Sequence, residues 1–242
     1  MIFLGTIVNA LLIVFGTLLG RFLKNIPERM KETVMYGIGL AVTVMGIQMS
    51  FQSEQFLIAI ISIVIGAIIG EMIDLEGMLN NLGIWIESKV KTKKSDGGIA
   101  QGFVTATLIF VIGSMAIIGA IDSGVRNDHG VLITKGIIDG FTSIILSATL
   151  GIGVLLSAIP VTIYQGLITL FSTQISQFIP EAALNFFIKE MTGTGGMMII
   201  AIGLNMIGLT KIRVANLIPG IVVVAVIVTI LYNFDMVAMP SE

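Results

Sequence analysis

Apolar positions run along this chain in long blocks separated by short polar stretches. A helix crosses a bilayer with about 20 apolar residues. Eight blocks meet or approach that length: residues 2–19, 34–49, 56–73, 103–121, 131–159, 161–178, 195–209 and 214–232. The fifth is too long for one straight helix and carries Lys135 and Asp139 near its start, which leaves a surface or re-entrant turn open there. The seventh is short and opens on Gly193, Gly195 and Gly196. Seven to nine crossings fit the pattern, and eight is the expectation. No basic residue precedes the first block and no small-residue cleavage site follows it, so it reads as a retained helix and not a signal peptide.

Composition agrees with the pattern. Of the 242 residues, 55% are hydrophobic and 12% are charged. Soluble domains carry about 25% charged residues. The mean hydropathy is +1.03. A soluble surface cannot be covered with so few charges, so the predicted class is all-α: a polytopic transmembrane helix bundle of about eight spans. The 28 Gly suit membrane helices that approach closely. With no Cys and one His, thiolate or His-rich metal sites are excluded, and no cofactor is expected. The 13 Lys and Arg are too few for a nucleic-acid face once the loops are served. The bilayer is the expected partner, with a small ion or solute beside it; homo-oligomerisation stays open. The 14 Met read as core filler.

Basic residues set orientation. Arg21, Lys24, Arg29 and Lys31 follow the first block, Lys89, Lys91, Lys93 and Lys94 the third, and Lys211 and Arg213 the seventh. Even-numbered loops hold only Arg126 and Lys189. The odd loops are therefore expected in the cytoplasm and both termini outside. The long loop 74–100 opens with helical apolar spacing at Leu75, Met78, Leu79, Leu82 and Ile86, which suits an interfacial helix.

Two stretches look alike. Thr6-Ile7-Val8-Asn9-Ala10-Leu11-Leu12 resembles Thr162-Ile163-Tyr164-Gln165-Gly166-Leu167-Ile168, and Gly39 with Gly46-Ile47-Gln48-Met49 resembles Gly196 with Gly203-Leu204-Asn205-Met206. The offsets, 156 and 157, are nearly one register. They divide a single domain, 1–242, into repeat one (1–73), the cytoplasmic loop (74–100), a central helical hairpin (101–159) and repeat two (161–233). Three-span copies starting at spans one and six face opposite ways, which makes an inverted repeat, the plan of many secondary transporters. The paired amides, Asn9 with Gln165 and Gln48 with Asn205, are its least trivial part.

Further segments carry a resemblance: Gly66-Ala67-Ile68-Ile69-Gly70-Glu71 followed by Glu76, Gly113-Ser114-Met115, Lys135-Gly136-Ile137-Ile138-Asp139, Leu150-Gly151-Ile152-Gly153-Val154, Gly195-Gly196 with Gly203-Leu204, and Val214-Ala215-Asn216-Leu217-Ile218-Pro219. In order and spacing the chain resembles the YqgA/YdfK-like family of bacterial inner-membrane proteins of unknown function over nearly its whole length. Gly136 stands where that family often carries Ser, which argues against a hydroxyl acting there. The resemblance implies a multi-span inner-membrane architecture. It brings no substrate and no catalytic residue.

Ionisable groups inside a membrane point to function by default. Glu71, Asp74 and Glu76 fall at a span end, and Asp122, Arg126, Asp128 and His129 share a short outer loop whose ordinary reading is a solvated turn. Lys135, Asp139, Ser143 and Ser147 are spaced four apart and make a polar stripe on one helix face. Lipid cannot satisfy them, so water, a solute path or a neighbouring helix must. The expectation is a hydrated cavity; its counterpart is a structural Lys–Asp pair. Thr192-Gly193-Thr194-Gly195-Gly196 can unwind a helix and turn backbone groups toward an ion. Pro219-Gly220 can break the eighth span likewise, and Pro160 reads as the end of the fifth. Gly16/Gly20 and Gly66/Gly70 read as close helix contacts, with Arg21 and Glu71 in matching places after them as a structural pair. No P-loop, Ser/His or His-Glu-x-x-His motif occurs, so the function predicted is a small-solute or ion transporter without an ATP-binding motif, not an enzyme. The alternative is a membrane scaffold or signalling partner.

Overall fold

The computed structural model describes residues 1–22, 28–81 and 99–233. The basic run from Lys89 to Lys94, and Leu82 and Ile86 of the expected interfacial helix, lie outside the described residues; residues 75–81 are helical. Among the described residues no strand occurs. The elements are α1 (Leu4–Phe22), α2 (Glu28–Ser50), α3 (Phe56–Ile73), α4 (Ile99–Val111), α5 (Ser114–Val125), α6 (Gly130–Leu150), α7 (Gly153–Leu156), α8 (Ala158–Leu170), α9 (Ser172–Phe178), α10 (Glu181–Met206), a 3-10 turn (Val214–Leu217) and α11 (Pro219–Asn233).

Among the described residues seven helical stretches are long and apolar enough to span a membrane, and α4 with α5, bent by 62°, makes an eighth if the pair is one broken span. The bend falls at Gly113, whose φ of 140° is open to glycine alone, a break absent from the expected straight block 103–121. The other boundaries also move. Gly151, at φ 80°, ends α6, so the block 131–159 divides there and not at Pro160. Pro160 instead sits in the first turn of α8, where its missing N–H removes no helical bond. The seventh span is not short. It runs unbroken for 26 residues through Thr192–Gly196, and all five of those residues are buried. Pro219 does mark a break, with the 3-10 turn before it and α11 after.

The chain forms two compact units. One holds Met1–Ile38, Gly77–Val111 and Met115–Thr173; the other holds Gly39–Glu76, Ile112–Ser114 and Gln174–Glu242. In the first unit α1 lies along α6. A Cβ on Gly16 would overlap the Gly140 carbonyl oxygen, and one on Gly20 that of Ile144. Gly5 meets Leu132, so residue numbers rise together and the two helices are parallel. In the second unit Gly39 of α2 meets Gly203 of α10 while Gly46 meets Gly196, which makes that pair antiparallel. Gly66 and Gly70 of α3 meet Gly220 and Asn216, so α3 and α11 are antiparallel as well.

These directions bear on the number of crossings. If the bent pair did not cross, α1 and α6 would be first and fourth and would oppose each other, while α3 and α11 would be third and seventh and would run together. The observed directions are the reverse in both cases. Both pairs of directions fit the bent pair as one span, the case in which the described residues hold eight.

The glycine contacts carry a direct test. Gly16→Ala should destabilise the protein by about 1–3 kcal/mol, because the added methyl forces two backbones apart. Gly166 of α8 has nothing within 4 Å of its Cβ position. Gly166→Ala should be neutral or stabilising by about 1 kcal/mol through helix propensity. Thermal unfolding in detergent, read against the parent, checks both.

Candidate functional site

The stripe on α6 is where buried polar groups gather. Asp139 stands at the middle of the 21-residue helix. Its carboxylate lies 2.5 Å from the Lys135 ammonium one turn earlier, and the two residues are only 5% and 6% exposed. The Lys135 ammonium also sits 5.9 Å from the centre of the Phe110 ring on α4, a distance at which the ring face attracts a cation. From α1, the Asn9 amide interacts with Asp139. The same amide donates from Nδ2 to Gln165 Oε1 of α8 at 3.2 Å, with both residues fully buried. One polar chain therefore joins three helices: Lys135 and Asp139 on α6, Asn9 on α1, Gln165 on α8.

Local sequence explains why α1 reaches this point. Gly136 and Gly140 present bare backbone to Asn9 and Leu12. The Ser that the resemblance places at Gly136 would press on the Asn9 backbone, since even a Cβ there comes within 2.9 Å of the Asn9 Cα.

The stripe divides in two. Its far half is used in packing: Ser147 donates to the Thr17 carbonyl at 2.8 Å, and Ser143 faces Gly16. Around the stripe Asn9, Gln165 and several hydroxyls, that of Ser143 among them, keep free hydrogen-bonding capacity. Asn9 Oδ1, Gln165 Nε2 and the hydroxyls of Thr6, Ser143 and Thr169 are buried without a partner. Thr6 is three residues from Asn9, Ser143 four from Asp139, and Thr169 four from Gln165, so each shares a helix face with a member of the chain. Buried polar atoms without partners are rare and need an explanation such as a water or a bound solute. The expected hydrated cavity along the stripe is not open to solvent: none of its four residues is more than 6% exposed.

The remaining sequence candidates serve elsewhere. Gln48 is exposed on α2. Asn205 ties the turn after α10, donating to the Ile212 carbonyl at 2.7 Å and accepting from Thr210 Oγ1 and the Ile212 N–H. Gly193, Gly195 and Gly196 do not unwind α10; they let Ser53, Ile112 and Ser50 come close. Glu71 pairs with Arg213 at 2.7 Å and with the Asn216 amide, where Arg21 was the expected partner. The cause is the close contact of Gly70 with Asn216, which sets the 3-10 turn beside the end of α3. Asn216 also accepts from the Glu76 N–H at 2.7 Å, and Glu76 accepts from the Ala215 N–H at 3.0 Å. Among the described residues no three of His, Asp and Glu gather to hold a metal ion.

Glu190 was missed altogether. It is fully buried in α10 and accepts from Ser53 Oγ at 2.6 Å and from the N–H groups of Glu54 and Gln55 at 2.8 and 2.9 Å. The available signal was the start of α3: Gln55 at its N-cap makes no side-chain cap bond, so the orphan N–H groups needed an acceptor from another helix. Glu190→Leu should lower stability by about 3 kcal/mol, since a charged acceptor is lost and buried donors are stranded. Glu190→Gln should recover part of that. Thermal unfolding of the two variants checks the order.

With this geometry in hand, the comparisons with known proteins are specific. Residues 4–229 match the model of the DUF554 family, a protein family of unknown function. The chain is 32% identical over 238 residues to the uncharacterized membrane protein YdfK of Bacillus subtilis, an alignment that covers 96% of this chain and 98% of that protein. It is 26% identical over 222 residues to the uncharacterized protein YqgA of Escherichia coli, covering 90% and 93%. No solved structure matches the chain significantly. A helical chain with seven or eight candidate membrane spans among its described residues and a family model that covers nearly all of it lead to one assignment: the chain is a membrane protein of the DUF554 family.

Proposed function

We propose that this protein is an inner-membrane transporter of a small solute or ion, and not an enzyme. The observation that carries the reading is the polar cluster at the middle of a membrane span, built from three helices and keeping unpartnered polar atoms. A purely structural polar pair would be expected to use its donors and acceptors fully. With no ATP-binding motif in the chain, uptake or export runs on an ion or solute gradient.

The inverted repeat is part of the same reading, and the helix contacts support it. With an offset of 156 or 157, equivalent elements are α1 and α8, α2 and α10, α3 and α11. Each of these is an antiparallel or crossing pair in contact within its own unit. Asn9 bonds to Gln165, its own counterpart. Gly39 meets Gly203, the counterpart of Gly46, while Gly46 meets Gly196, the counterpart of Gly39. A local two-fold gives that crosswise pattern. Chance alignment of apolar helices gives no reason for it.

One observation favours the second reading, a scaffold or signalling partner: the stripe is not open to solvent and its far half is used in packing. Flux and stability measured together separate the two. The transporter reading expects Asp139→Asn in proteoliposomes to abolish flux of an identified solute with little change in unfolding temperature. The structural reading expects a loss of about 3–5 kcal/mol, the usual cost of removing one partner from a buried ion pair. Lys135→Met/Asp139→Leu removes the pair together; full flux in that variant would take the pair out of the mechanism.

In the same reading the basic loops face the cytoplasm and both termini lie outside, because ten basic residues, Arg21 to Lys31, Lys89 to Lys94, Lys211 and Arg213, sit in odd-numbered loops. In this Cys-free chain, Lys93→Cys should resist an impermeant thiol reagent applied outside and Arg126→Cys should react. The opposite labelling reverses the orientation.

A further inference from the structure

The proposed transport reading leaves open whether the cargo is an ion or a neutral solute. The cluster's own chemistry decides between them. Every formal charge in it is already matched: Lys135 and Asp139 hold each other at 2.5 Å, buried, at the foot of the Phe110 ring. An entering ion would lose its water in a site with no spare opposite charge and a single free carbonyl oxygen, Asn9 Oδ1, too few to replace a hydration shell. A cation at Asp139 would have to expel Lys135, leaving the ammonium stranded.

What the cluster does offer is neutral and directional. The Asn9–Gln165 bond uses one donor and one acceptor, and leaves Asn9 Oδ1 as a free acceptor beside Gln165 Nε2 as a free donor. The Asp139 carboxylate fixes this assignment, since turning Asn9 over would bring its carbonyl oxygen against an acceptor. The hydroxyls of Thr6 and Thr169, one turn away on the same two helices, add groups that donate or accept. Such a set complements a molecule that carries both a donor and an acceptor and no net charge.

We infer that the Asn9–Gln165 pair, with Thr6 and Thr169, is the recognition site for a small net-neutral polar solute, an amide or a zwitterion. The inference rests on the transport reading for its direction, but occupancy is measurable without flux. An amide would bridge Asn9 Oδ1 and Gln165 Nε2. A zwitterion would in addition exchange its own ammonium and carboxylate with the Lys135–Asp139 pair, leaving the total charge of the site unchanged.

The test uses the purified full chain and two panels. The neutral panel is urea, acetamide, glycine, serine and glutamine; the ionic panel is sodium, potassium, ammonium and chloride. Binding is read by thermal shift and calorimetry, flux in proteoliposomes. The expected result is saturable binding confined to the neutral panel, with Gln165→Leu weakening it by about tenfold or more, as lost hydrogen bonds to a buried site require. The same variant removes the free Gln165 donor but strands the Asn9 N–H that Gln165 Oε1 accepts, so it should unfold somewhat below the parent, and its binding is read well below that temperature. Should Gln165→Leu fail to fold, Gln165→Glu serves: nearly the same shape with an added acid, it should lose the neutral solutes. Response to amides alone, with none to the amino acids, assigns the amide class; response to the amino acids alone assigns the zwitterion class. Binding without flux keeps this site and removes the transport reading. Flux of an ion with no response to the neutral panel keeps transport and overturns this inference. No response to either panel overturns both.

Discussion

Backbone meeting backbone at glycine is the contact on which the rest of this structure depends. Between helices in lipid there is no hydrophobic driving force, because the tails are as apolar as the side chains. Association has to come from close packing and polar contacts. Gly16 and Gly20 admit the Gly140 and Ile144 carbonyls in one unit, and Gly66 and Gly70 admit Gly220 and Asn216 in the other. From these approaches the positions of the polar groups follow. Asn9 reaches Asp139 because Gly136 has no side chain in the way, and Asn216 reaches Glu71 because Gly70 has none. The abundance of glycine and the placement of the polar residues are thus one fact about the fold.

The two units use polar side chains differently. In the second unit Glu190, Asn216, Glu76 and Asn205 all satisfy backbone groups at helix ends or turns. Those tasks are closed: each amide or carboxylate meets fixed donors or acceptors, and the irregular backbone beside it is made tolerable in a membrane. In the first unit the amides and charges meet one another in mid-span. Lone hydroxyls without a partner occur in both units, Ser62 and Thr192 among them, and a Ser or Thr hydroxyl can turn to its own helix carbonyl. A buried primary amide has no such local outlet. The free ends of Asn9 and Gln165 are therefore the stronger sign of a site that something else completes.

Much of this was legible in the sequence. Apolar block length placed a helical bundle of several spans, since a helix satisfies its own backbone in lipid. Helical spacing placed Lys135 beside Asp139, and the repeat singled out Asn9 and Gln165 before any contact was known. The misses share a cause. The Thr192–Gly196 stretch looked like a break, but in a membrane helix glycine serves packing as readily as turning, and sequence does not say which. Gly113 does turn the chain, with no more local warning than Gly195, which does not. Arg213 took the place expected of Arg21 because the partner of Glu71 is set by which helix Gly70 packs against, a long-range choice. Glu190 went unnoticed because its role is defined by a helix start 135 residues away.

The amide pair gains meaning from the proposed repeat. On a local two-fold, most residues of one copy face different residues of the other, and only those at the axis meet their own counterparts. A polar side chain at the axis is matched with itself, so a single ancestral amide there would have formed a pair from the start, without a second coordinated change. Asn9 and Gln165 differ by one methylene and keep that relation. Such a pair is also self-limiting. Two amides sharing a single hydrogen bond leave donor and acceptor capacity over on both sides. In the other unit, Gly39 and Gly46 find Gly203 and Gly196 crosswise, the pattern that a two-fold between the proposed copies would give. A fold made by inverting one three-helix unit against another would therefore carry, at the centre of its first and sixth spans, a neutral hydrogen-bonding site that lipid cannot complete and a polar solute can.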